Sequence, residues 1–118
     1  MSSYRKLDER RNISLGEYAT VQEEGDWEKG LKMALETVMV RNSLEKDLKQ
    51  RAREIYEDVV ENIKKFSGWS RPPIACAIVY KTLKEEGREC NMAKVGKTGS
   101  ASRTSVKKAY KTIKKLED

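Results

Sequence analysis

The side chains of this chain best suited to chemistry are lysines, and they crowd into its closing stretch, SRTSVKKAYKTIKKLED (Ser102 to Asp118). An ammonium on a flexible stem is a phosphate-neutralising group, and it does acid–base work only where a pocket perturbs it. From Lys94 onward eight basic residues face only Glu117 and Asp118, a local net charge of +6. The whole chain also carries +6, so the first 93 residues balance to zero. An excess this localised points to an anionic partner, double-stranded DNA first.

Other chemistries find little support. Histidine is absent, which removes the commonest general base and the commonest zinc ligand. Cys76 lies in an apolar run and reads as a small core residue; Cys90 lies in a polar loop and reads as an exposed thiol. No short pairing motif joins them into a disulfide framework or a metal site. GKTGS (Gly96 to Ser100) lacks the spacing and the preceding strand of a phosphate-binding loop. Glu23–Glu24 and Glu85–Glu86 read as solvated charge with no apolar pocket to shift a pKa. We therefore expect no enzyme, no cofactor and no metal.

The elements that position the lysines follow from periodicity. At 118 residues, with apolar and charged residues each at 37%, the chain has room for one domain with a modest core. Residues 1–25 show no sustained period and read as a polar arm, with a short turn near Leu15 to Tyr18. From Trp27, a stripe of Leu31, Ala34, Leu35, Val38 and Met39 predicts a first helix capped by Asp26. Ser43 is the expected cap of a second helix, whose apolar stripe runs from Leu44 through Ile55 and Val59 to Phe66, with Gly68 as its stop. Ser70 with Pro72 and Pro73 starts a third, and IACAIVY (Ile74 to Tyr80) is apolar nearly all round, the mark of a central buried helix. A short amphipathic piece over Asn91 to Val95 leads into GKTGSAS, whose glycine and serine read as a turn or flexible loop. Ser102 then caps the last helix, with Val106, Ala109, Tyr110, Ile113 and Leu116 facing inward. The expected fold is all-α, five helices without a strand, spanning residues 26–118.

A short helix, a glycine-containing turn and a longer helix with a basic outer face form the outline of a helix-turn-helix. The expected DNA-facing set is Lys97, Arg103, Thr104, Ser105, Lys107, Lys108, Lys111, Lys114 and Lys115. Small residues at the helix start (Ser102, Thr104, Ser105) permit close approach, and their amides suit a phosphate.

The order of these pieces resembles one cyclin repeat of the transcription factor B (initiation factor IIB) family. GWSRPPIACAIVYKTLKEEG (Gly68 to Gly87) is similar to that family's buried third helix. MAKV with SRTSVKKAYKTIKKL looks like its closing helix-turn-helix, and AREIYEDVVENIKKF (Ala52 to Phe66) like its second helix. The resemblance implies a five-helix cyclin-like bundle in an archaeal- or eukaryotic-type transcription factor. It also implies the TATA-binding protein or RNA polymerase components as partners beside promoter DNA. In that family the closing helices of the second repeat read DNA, which singles out Arg103, Thr104, Ser105, Lys107, Lys108 and Lys111. The chain has length for one repeat where the family has two, and its N-terminus lacks the cysteines of the family's zinc ribbon. A single-repeat regulator, or a homodimer supplying the second repeat by symmetry, fits those departures. The alternative is a cyclin-box module that binds a transcription or polymerase component through a groove, with Trp69 and the N-terminal arm as contacts. No stretch approaches the roughly 18 consecutive apolar residues of a membrane span, and the first residues lack a secretory signal. The expected setting is intracellular, cytoplasmic in a prokaryote or nuclear in a eukaryote, without a membrane partner.

Overall fold

A computed structural model of the chain describes residues 15–117, with side chains from Asp26 onward. It is all-helical over those residues: α1 (Leu15–Arg41), α2 (Lys46–Glu61), a 3₁₀ turn (Ile63–Phe66), α3 (Arg71–Glu85), α4 (Met92–Thr98) and α5 (Arg103–Leu116). The first part of the arm expected over residues 1–25 lies outside the described residues.

α3 is the hub. Ile74, Ala75, Cys76, Ala77, Ile78 and Val79 are all fully buried, because α1, α2, α4 and α5 each pack against it. A helix surrounded in this way has no face to leave polar, which is why IACAIVY shows no amphipathic period. Pro72 and Pro73 occupy the first turn, where no amide partner is lost, and Ser70 is the N-cap. Truncating Ile78 to alanine should leave a cavity at this crossing. We expect a loss of about 3 kcal/mol in urea or thermal unfolding, in the usual range for a buried isoleucine.

Several boundaries differ from the sequence reading. Asp26 is not a cap: the α1 backbone is helical from Leu15 and passes straight through it. Ser43 does not cap α2. It takes φ +53 in the turn after α1, and the N-cap is Glu45, without a side-chain hydrogen bond. α2 ends at Glu61, well before Gly68; the apolar period continues because the 3₁₀ turn still buries Phe66. Gly68 then takes φ +78 as the chain turns toward α3. GKTGSAS is only half a turn, since Gly96, Lys97 and Thr98 complete α4.

Candidate nucleic-acid interface

Two caps and two glycines build the α4–α5 unit. Asn91 accepts from the amides of Ala93 (2.8 Å) and Lys94 (3.2 Å) to start α4. Ser102 Oγ accepts from the Ser105 amide at 3.2 Å to start α5. Between them the Ala101 amide donates back to Gly96 O at 2.8 Å. That closure needs bare backbone, because a Cβ on Gly96 would lie 2.6 Å from Ala101 O. At Gly99 a Cβ would collide with the Cys76 sulfur and come within 3.0 Å of Val38. The turn is thus pressed onto the core. Arg41 Nη1 donates to Thr98 O (2.7 Å) and Asn42 Nδ2 to Thr98 Oγ1 (3.0 Å), tying the end of α1 to the end of α4. Cys76 is core, as expected, and burial pushes its thiol up to about 11 against an opposing backbone hydrogen bond at Gly99.

α5 buries Val106, Ala109 and Ile113 and half-buries Tyr110 and Leu116. Its other faces carry the charge. Arg103, Lys107, Lys111 and Lys114, spaced at four, four and three, form one wall of a groove of about 430 Å³. Its floor is Tyr80, Tyr110 and Met92, and the two tyrosine rings meet edge to face at 5.1 Å. Cys90 also lines it, half-buried where the sequence suggested an exposed thiol. Burial raises its pKa, with Lys84 opposing.

Thr104, Lys108, Lys111 and Lys115 follow the adjacent face. Lys108 sits over the Trp69 ring, its Nζ 4.6 Å from the centroid, and so is turned toward the α2–α3 connection. Trp69 itself is half-buried and packs edge to face on Phe66 at 5.3 Å. Lys97 is exposed in the last turn of α4, apart from the groove wall. The Ser105 amide is occupied by Ser102, which leaves the amides of Arg103 and Thr104 as the open donors at this end. Every member of the expected DNA-facing set is exposed. Among the described residues none of their cations has a carboxylate within salt-bridge distance.

The nearest acid is taken elsewhere. Glu117 turns inward and pairs with Arg51 of α2 (2.8 Å) and Lys81 of α3 (2.9 Å). Glu85 completes the cluster, 2.7 Å from each of the same two cations. Lys81 is the most enclosed member, its side chain 11% exposed; burial pushes its pKa down, but the hydrogen bonds and charges of Glu117 and Glu85 together outweigh it and raise the pKa. The hydrogen bond from Arg51, helped by Lys81, holds the Glu85 carboxyl down to about 2 from an ordinary 4.5. Glu85, expected as solvated charge with nothing to shift its pKa, is instead ion-paired and shifted, because the packing of α2 against α3 sets Arg51 beside it and Lys81 lies one turn before it.

The sign of the pH effect follows. A carboxyl depressed in the folded state stabilises fully above its unfolded value, and that contribution fades as pH falls from there toward its folded value. Stability should therefore drop between pH 4.5 and about 2, and Glu85→Gln should flatten that limb of a Tm-versus-pH curve. Asp58, pushed up by burial and by Glu117 beside it, works in the opposite sense and softens the slope.

No protein-family model matches the chain, and no curated protein matches it as a relative. Among the described residues no helix is long and apolar enough to cross a membrane, and no group of acids and cysteines could hold a metal ion.

Proposed function

We propose that this chain is a DNA-binding transcription regulator built on one cyclin repeat of the transcription factor B kind. It would lay α5 in the major groove of double-stranded DNA. The observation that carries the reading is the separation of charge on α5: its cations are exposed and, among the described residues, without carboxylate partners, while Glu117 is drawn onto Arg51 and Lys81. In this arrangement Lys107, Lys111, Lys114 and Lys115 neutralise phosphates. Arg103, Thr104 and Ser105, at the start of the helix, meet base edges. Lys97 reaches the flanking backbone from the end of α4, and Lys108 joins it on leaving Trp69. The TATA-binding protein, a polymerase component or a second copy of the chain would supply the remaining contacts of a promoter complex.

The test is an anisotropy titration on labelled double-stranded DNA across a salt series. Affinity should fall steeply with salt, with a logarithmic slope of about −4 to −5 for about five phosphate contacts. Absence of binding at low salt would make α5 an ordinary solvated helix. A second reading, a module that binds a transcription component through a groove, draws on the aromatic surface beside Trp69.

A further inference from the structure

A second cleft, of about 780 Å³, opens between Trp27 of α1, the 3₁₀ turn and the start of α3. Its walls are aromatic. Trp27 Nε1 donates to the carbonyl of Trp69 at 3.4 Å, and Phe66 packs against the Trp69 ring. Both tryptophans stay partly open. Its rim is cationic: Lys64 and Arg71 line it, and Lys108 stands over Trp69 at its edge. Asp26 is the one acid in the lining among the described residues. Among the described residues, Lys64, Arg71 and Lys108 have no salt-bridge partner.

Arg71 is seated there by a specific accommodation. A Cβ on Gly30 would lie 2.6 Å from its Nη1, so the guanidinium lies directly against the bare backbone of α1 at that glycine. Its single hydrogen bond among the described residues is a 3.4 Å contact to the backbone carbonyl of Asp26. Among the described residues most of its donors have no partner. A core plug would explain Trp69 alone. It does not explain an open aromatic cleft lined by two cations, Lys64 and Arg71, that have no salt-bridge partner among the described residues, with the tryptophan and arginine types that anchor protein interfaces.

We infer that this cleft is a docking site for a partner-protein segment that inserts an apolar or aromatic side chain between Trp27 and Trp69 and sets flanking carboxylates against Lys64 and Arg71. The charge argues for an acidic segment. The geometry argues for a peptide: Lys108 sits over the Trp69 ring, so the two tryptophans do not offer the succession of open faces on which single-stranded nucleic acid stacks, whereas one inserted side chain needs only the open part of the cleft. This inference is independent of DNA binding by α5.

The experiment is selection of a random peptide library displayed on phage against the full chain, followed by NMR titration of the enriched peptides. Enriched sequences should pair an aromatic or aliphatic anchor with neighbouring Asp or Glu, and should shift the indole N–H signals of Trp27 and Trp69. Lys64→Glu/Arg71→Glu should weaken them by about tenfold or more, and Lys107→Glu/Lys111→Glu should leave them unchanged. Should the first double reversal unfold the chain, as far-UV circular dichroism would show, Lys64→Gln with Arg71→Gln takes its place. Failure to enrich an acidic–apolar pattern would overturn the inference. So would signals moving at Tyr80 and Tyr110 instead, or indole shifts produced by a single-stranded oligonucleotide and not by the peptides.

Discussion

Lys107→Glu/Lys111→Glu should lower affinity for double-stranded DNA by about a hundredfold or more at physiological salt. It should also flatten the logarithmic salt slope from about −4.5 to about −2.7, the change expected when two of about five phosphate contacts disappear. The new carboxylates add repulsion to the lost contacts. Folding should be untouched, because both lysines are exposed and neither is salt-bridged among the described residues. The decisive control is Lys29→Glu/Lys32→Glu on the exposed side of α1, which changes net charge equally. Anisotropy on one labelled duplex, with both variants and the parent across a salt series, separates the outcomes. An equal loss in the control would reduce binding to a bulk effect of net charge, and the proposed orientation of α5 would fall.

Gly96→Ala should destabilise the chain by about 2 kcal/mol, against the direction that helix propensity alone gives. Gly96 lies inside α4, where alanine would ordinarily gain about 1 kcal/mol over glycine. Here the added carbon meets Ala101 O at 2.6 Å. That atom is backbone in the turn that Gly96 itself closes, so it cannot rotate away, and overpacking of this kind costs about 1–3 kcal/mol. Gly99→Ala meets a side chain instead, Cys76, and this makes it diagnostic. Cys76→Ala removes the sulfur in the way and should restore part of the loss, leaving the contact with Val38 as the remainder. Thermal unfolding of both single variants and the pair gives the coupling directly. Additive losses would mean that the turn is not pressed onto α3 as described. Because the turn sets where α5 begins, both glycine variants should also weaken DNA binding beyond what their lost stability explains.

Where the sequence spoke clearly, one residue did one job. The prolines before Ile74, the unbroken apolar run of α3 and the cap at Ser102 each act locally, and each stands in the structure. α1 extends beyond its apolar stripe because residues 15–25 carry no such stripe for periodicity to detect. α2 ends before its apparent stripe does, because the 3₁₀ turn keeps Phe66 inward and so mimics another helical turn. The glycines of GKTGSAS suggested flexibility, whereas Gly96 and Gly99 serve close packing, a property of the neighbouring atoms. At the candidate interface the wall of Arg103, Lys107, Lys111 and Lys114 was readable from spacing. Its floor of Tyr80 and Met92 comes from elements distant in sequence. The engagement of Lys108 with Trp69 is likewise a tertiary fact, with no local pattern to announce it.

The inward turn of Glu117 separates two populations of charge, one paired within the fold and one exposed on α5. Arg51, Lys81, Glu85 and Glu117 belong to the scaffold, and substitutions among them should move the unfolding midpoint while leaving the salt slope of binding alone. On the proposed function Arg103, Lys107, Lys111, Lys114 and Lys115 would serve the DNA partner, and substitutions among them should do the reverse. A lineage could therefore retune what α5 grips without reopening how α5 is held, and an engineer could treat the two sets as separate dials.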